Sequence, residues 1–140
     1  MITRRFLYVD DDAAIRHLVK SFFELKFPTY EVISAANAKE ALQELRRRRE
    51  GPEFPQALVT DFQLDLPGNG ATLVESVRAE FPTLRTVIVS GVSLRTHMQA
   101  SARAGASAFL EKGMMQPFVD RLFELLQCPT DRLPPMQTTL

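Results

Sequence analysis

Phe6-Leu7-Tyr8-Val9 runs directly into Asp10-Asp11-Asp12. The first four residues form a short, β-prone apolar run. The next three place carboxylates at its end, where like charges a few ångströms apart repel by about 1 kcal/mol even at the dielectric of water. A strand that ends this way calls for a compensating charge, and hard divalent cations bound through oxygen are the usual source. The rest of the chain shows what stands beside that junction.

After Asp12, apolar residues Ile15, Leu18, Val19, Phe22, Phe23 and Leu25 recur at helical spacing as far as Phe27, and Pro28 stops the helix. Tyr30 to Ser34 reads as a second strand. Asn37 is a helix N-cap with Glu40 three residues on, and Ala38, Ala41, Leu42 and Leu45 form the apolar stripe of a second helix ended by Gly51-Pro52. Ala57 to Thr60 is a third strand that delivers Asp61. Pro67-Gly68-Asn69-Gly70 is a loop by its turn chemistry. Leu73, Val74, Val77 and Phe81 mark a third helix, stopped at Pro82. Thr86 to Ser90 is a fourth strand, residues 94–104 a more polar helix, and Ala108 to Leu110 a fifth strand ending near Lys112. Phe118, Val119, Leu122, Phe123, Leu125 and Leu126 belong to a last helix with Pro117 in its first turn. Strands alternating with helices in this way predict an α/β, doubly wound parallel sheet covered on both faces.

Composition sets the bounds. A chain of 140 residues suits one domain with a sizeable core. Seventeen basic and seventeen acidic residues cancel, so no global charge attracts nucleic acid or an anionic membrane. The single cysteine, Cys128, excludes an internal disulfide and reads as an inert position near a helix end. The start carries no signal-peptide pattern, and no stretch approaches the roughly 20 apolar residues of a membrane span. A cytoplasmic protein is expected, with a flexible, proline-bearing tail over residues 128–140.

Ligands of an open α/β sheet bind outside the carboxyl ends of the strands. Those ends supply Asp10, Asp11 and Asp12 from the first strand, Asp61 from the third, Ser90 and Gly91 from the fourth and Lys112 from the fifth. Carboxylates with room for water suit Mg²⁺. A neighbouring lysine can pair first with an aspartate and then with a phosphoryl oxygen, and a hydroxyl can follow the same oxygen.

Four segments, in order at the ends of strands one, three, four and five, carry a resemblance: Phe6 to Asp12, Val59-Thr60-Asp61, Val87 to Gly91, and Ala104 to Lys112. The chain resembles a receiver domain of a two-component response regulator over residues 4–127. The resemblance implies the flavodoxin-like (βα)5 fold with strand order 2-1-3-4-5. It makes Asp61 the phosphoacceptor, Asp10, Asp11 and Asp61 with the Gln63 backbone carbonyl the Mg²⁺ ligands, and Lys112 the characteristic lysine of the family. Ser90 would be the switch hydroxyl, Gly91 the small residue that leaves access, and Phe109 the aromatic switch. The implied partners are a histidine kinase or histidine phosphotransfer protein and a downstream protein target. The chain would then be a single-domain regulator, signalling by protein binding or by relaying phosphate, with self-catalysed phosphotransfer rather than turnover as an enzyme. Neither membrane nor nucleic acid is expected as a partner.

Two departures from the family pattern stand out. Phe62-Gln63-Leu64-Asp65-Leu66 makes the loop after Asp61 longer than usual, with Asp65 read as a solvated residue rather than an extra acid at the metal. Gly113 follows Lys112 where most receivers have a cis proline, which predicts a looser loop. Asp12 reads as a helix cap. Arg46 to Arg49 reads as a solvated helix end favoured by the helix dipole. His17 and His97 are expected to be exposed, and Met114 and Met115 to lie either at a partner face or in packing. Two other functions fit parts of the pattern. One is an adaptor of the same fold that needs no phosphorylation. The other is an aspartyl phosphatase built on Asp10 and Asp12, although Ala14 stands where such enzymes need threonine.

Overall fold

The four residues Phe6, Leu7, Tyr8 and Val9 face two different cores. Side chains along a strand alternate between faces. Phe6 and Tyr8 therefore join one buried cluster, and Leu7 and Val9 join another. This explains why the run is continuously apolar: a parallel sheet covered on both sides has no solvent face.

A computed structural model of the protein describes residues 1–65, 68–91 and 95–128. The elements follow in order as β1 (Arg4–Val9), α1 (Ala13–Lys26), β2 (Tyr30–Ala35), α2 (Ala38–Arg47), β3 (Ala57–Asp61), α3 (Gly70–Glu80), β4 (Arg85–Ser90), α4 (Arg95–Ala104), β5 (Ala108–Glu111) and α5 (Met115–Gln127). The sheet has strand order β2-β1-β3-β4-β5, and every neighbouring pair is parallel. The predicted fold class and strand order are both found. The residues of the tail beyond Cys128 lie outside the described residues, as do Leu66, Pro67 and residues 92–94.

On one face α1 and α5 cover the sheet through Val19, Phe23, Phe118, Val119 and Leu122. On the other, α2, α3 and α4 contribute Ala41, Leu45, Leu73, Val74, Val77 and Ala104. Each large side chain buried here is worth about 1.5–3 kcal/mol, so these layers outweigh any single cap or ion pair. An aromatic group binds α1 to α5: Phe27 stacks on Phe123 at 3.8 Å, and Phe23 meets Phe6 edge-on at 4.8 Å.

Helix boundaries follow from side-chain chemistry. Asp12 caps α1, its Oδ1 accepting from the backbone N–H of Ala14 at 2.9 Å. Asn37 caps α2 by accepting from the Glu40 N–H. The Glu40 carboxylate accepts from Ala36 rather than from the cap residue itself. Asn69 caps α3, with Thr72 reciprocating.

Three expectations need correction. The apolar stripe assigned to α1 is too wide: Val19 and Phe23 are buried, but Leu18, Phe22 and Leu25 are exposed, Leu25 at 85%. The covered stripe is the i, i+4 row Ile15, Val19, Phe23 and Phe27, the outer two only partly buried, and Leu18, Phe22 and Leu25 stand outside it. Second, α2 ends at Arg47, before Gly51-Pro52. Arg46 and Arg49 then reach across to Glu80 on α3, while Arg47 and Arg48 pair with Glu44. Third, α3 begins at Gly70, inside the stretch whose turn chemistry predicts a loop.

Candidate functional site

β1 and β3 are adjacent in the sheet, with Val9 beside Thr60 in register. Their next residues, Asp10 and Asp61, therefore emerge side by side at the carboxyl rim. Chain connections leave β1 and β3 in opposite directions along the sheet, which opens a crevice between their ends. Asp10, Asp11, Asp12, Asp61, Asp65 and Lys112 line the resulting cleft of about 380 Å³, with Gln63 and Ile15 at its edge.

One carboxylate oxygen from each of Asp10, Asp11 and Asp61 lies within 4.8 Å of the others. Hard oxygen donors at this spacing, with one open side, suit Mg²⁺. Lys112 sits among them, its Nζ 2.9 Å from Asp10 Oδ2 and 3.3 Å from Asp61 Oδ2. Asp10 is only 1% exposed. Burying an unpaired carboxylate costs several kcal/mol, and three donors offset that cost. Besides Lys112, the Tyr8 hydroxyl donates to Oδ2 at 2.9 Å and the Asp12 N–H to Oδ1 at 3.0 Å. Arg16 donates to the Asp10 backbone carbonyl.

The charges disturb their neighbours. Burial pushes the Asp61 carboxyl above its ordinary value; Lys112 opposes the rise and Asp10 adds to it. Asp11 is also raised, by desolvation first and then by a hydrogen bond and repulsion from Asp65. Burial, followed by the charge of Asp10, pushes the Tyr8 phenol well above its usual value. The phenol therefore stays protonated and serves Asp10 as a donor.

Asp12 accepts from two N–H groups at the start of α1 and does cap the helix, while its side remains on the cleft. Asp65 is exposed, as expected. However, the lengthened loop sets its carboxyl against Asp11, so it is an extra acid at the cleft and not merely a solvated residue. Ser90 ends β4 and is 1% exposed. Among the described residues, an added Cβ at Gly91 would meet nothing within 4 Å. Phe109 lies on β5 next to Ile88, half-buried against the α2–α3–α4 layer. Lys112 is positioned by its own N–H, which donates to the Ser90 carbonyl at 2.8 Å.

The loop at Gly113 is held rather than loose. Gly113 takes a φ of 57°, and Arg121 of α5 donates to the carbonyls of Glu111 and Lys112 at 2.8 and 3.3 Å. Met114 is exposed at 78%, and Met115 packs against the core.

Three residues of the site carry little or no signal in the sequence. Tyr8 read simply as apolar, although its position two residues before Asp10 puts both on one face of the strand. Gly70 read as a turn residue. A Cβ there would lie 2.3 Å from the Asp61 carbonyl oxygen, so only glycine lets α3 start against the back of Asp61. His97, expected to be exposed, is half-buried. Its ring stacks on Phe62 at 4.0 Å, and its Nδ1 lies 3.3 Å from Ser90 Oγ. That contact depends on where α4 packs, and no local sequence signal carries it.

Residues 6–123 match the sequence profile of a family described as the response regulator receiver domain. The photosynthetic apparatus regulatory protein RegA of Rhodobacter capsulatus is 30% identical over 110 residues, covering 78% of this chain and 55% of that protein. The chain thus spans about half the length of that curated relative. A crystal structure of a CheY-like response regulator receiver domain protein from Methanospirillum hungatei JF-1 superposes with a TM-score of 0.72 at 30% identity, covering 88% of this chain and 93% of that one. A two-component response regulator of the LuxR family from Aurantimonas sp. SI85-9A1 superposes with a TM-score of 0.77 at 23% identity, covering 94% and 87% of the two chains, and shares the fold.

Proposed function

The chain belongs to the response regulator receiver domain family, and from that premise we propose that residues 4–127 form a receiver domain that accepts a phosphoryl group on Asp61 from a phosphohistidine donor. The observation that carries the reading is the contact of Lys112 with both Asp10 and Asp61, beside an oxygen cluster that includes Asp11. A carboxylate alone at a strand end has no reason to be so furnished.

Asp10, Asp11 and Asp61, with the backbone carbonyl of Gln63, would hold Mg²⁺. Bound there, Mg²⁺ supplies positive charge against the phosphoryl oxygens as charge spreads over them during transfer. An Asp61 carboxylate oxygen attacks phosphorus, the P–N bond of the donor breaks, and its electron pair stays on the donor imidazole. Lys112 rests against Asp10 and Asp61 and then turns its ammonium to a phosphoryl oxygen. The Ser90 hydroxyl donates to another, and Phe109 turns toward the space that Ser90 leaves. A local electrostatic change thereby reaches the surface of α4, β5 and α5. Water later hydrolyses the acyl phosphate and restores the Asp61 carboxylate.

The donor would be a histidine kinase or a histidine phosphotransfer protein in the cytoplasm. The output would be binding to a downstream protein or onward relay of the phosphate to a histidine. Incubation with acetyl phosphate, with and without Mg²⁺, tests the reading by intact mass. We expect a Mg²⁺-dependent phosphoryl adduct that disappears in Asp61→Asn. An adduct that survives in Asp61→Asn but vanishes in Asp10→Asn would mark an aspartyl phosphatase on the first strand. Absence of any adduct despite Mg²⁺ binding would mark an adaptor that works without phosphorylation.

A further inference from the structure

His97 joins three parts of the molecule that meet at the rim. Its ring lies on Phe62, the residue directly after Asp61, with planes 21° apart. Its Nδ1 shares a hydrogen bond with Ser90 Oγ at the end of β4. Its own carbonyl accepts from the Ser101 hydroxyl at 2.7 Å, and Ser101 is fully buried. Phe62 is itself fixed, because its N–H donates to Val89 and its carbonyl accepts from Gly70. The imidazole is thus held on the β3 end by stacking and on α4 by its backbone, and its polar atom points at the hydroxyl of β4.

On the reading of Asp61 and Ser90 given above, we propose that His97 is a positioning residue. It holds the Ser90 hydroxyl toward α4 in the unphosphorylated domain, and phosphorylation breaks this hold and loosens the first turn of α4. The separation of 3.3 Å is long for a hydrogen bond. A bond to an anionic phosphoryl oxygen is shorter and about twice as strong, so the exchange runs toward the phosphorylated form. The imidazole then loses one of its two side-chain anchors and keeps the stack on Phe62. Its polar edge becomes available, and the turn that carries it is released. Asp61 chemistry is in this way coupled to α4 through a side chain that belongs to α4 itself, in addition to any movement of Phe109. Packing of His97 as a plain aromatic would explain the stack on Phe62 but not the polar contact with Ser90.

Two substitutions separate these roles. His97→Phe keeps the ring on Phe62 and removes the polar atom. His97→Asn removes the ring and keeps a polar atom close to the position of Nδ1. Rates of labelling by acetyl phosphate with Mg²⁺ are measured for both, together with hydrogen exchange of the α4 amides before labelling. We expect His97→Phe to label about three- to tenfold faster than the unsubstituted protein, the range one net hydrogen bond carries, and His97→Asn to stay within about twofold. Exchange at the start of α4 should rise in His97→Phe before any label is added. Equal acceleration in both variants would assign His97 to packing and overturn the proposal, as would no change in either. In both of those cases the unsubstituted protein still labels on Asp61, so the receiver reading stands. A protein that takes no label at Asp61 loses that reading first, and this one with it.

Discussion

The three opening aspartates have three separate environments. Asp10 is enclosed by Lys112, Tyr8 and the Asp12 N–H. Asp11 is exposed and faces Asp65. Asp12 turns to the N-terminus of α1, where free N–H groups favour an acceptor. Repulsion within the triplet is thus met by donors at Asp10 and Asp12, whereas Asp65 adds to it at Asp11. Tyr8→Phe tests the least anticipated of these partners. It removes one donor from a buried carboxylate and changes the packed volume little. We expect a loss of about 1 kcal/mol in urea unfolding without metal, the net worth of one such bond. Unchanged stability would mean that Lys112 and the Asp12 N–H satisfy Asp10 by themselves. At this scale the charged members of the site were legible, because strand ends display them. Tyr8 was hidden by its aromatic ring, and His97 by its polar neighbours in sequence.

Among the elements, the loop from β5 into α5 carries one of the two departures read from the sequence, glycine at position 113. Gly113 adopts a left-handed backbone conformation, whereas proline is confined to a φ near −65°. Restoring a proline here would therefore not restore the usual loop. Gly113→Ala is expected to cost about 1 kcal/mol for its positive φ. Gly113→Pro is expected to cost more and to shift Lys112, seen as weaker labelling at Asp61. A Gly113→Pro protein as stable as the parent would show that the segment reaches the proline geometry without strain. Apolar periodicity located α1, α2, α3 and α5, but it overestimated the buried face of α1. Leu18, Phe22 and Leu25 follow the helical repeat as well as Val19 and Phe23 do. Only the packing of α1 on the sheet and α5 decides which of them are covered.

For the whole molecule, the acidic rim sets a conflict between stability and function. Asp11 and Asp61 both have raised values, so the folded protein binds protons there more tightly than the unfolded chain does. Their favourable contribution is present below the ordinary carboxylate value of about 4 and is lost as pH rises through the raised values. Other carboxylates work in the opposite direction: Arg46, hydrogen-bonded to Glu80, holds it down at about 2. The comparison must therefore be made as a difference, with melting temperature followed from pH about 4 upward for the parent and Asp11→Asn without metal. We expect Asp11→Asn to gain on the parent as pH rises. A constant gap would remove the crowding from the account. Mg²⁺ should stabilise the parent by about 2.7 kcal/mol at one hundred times the dissociation constant, seen as a higher melting temperature, and raise that of Asp11→Asn less. The sequence by itself determined the order of elements, the parallel sheet and the charged groups on its rim, because apolar periodicity and strand ends are local properties. Only the tertiary structure decided that α3 starts against Asp61, that Asp65 folds back on Asp11, and that His97 reaches Ser90. Those contacts join residues from separate elements, and their distances follow from how helices pack on the sheet, which no local stretch of sequence contains.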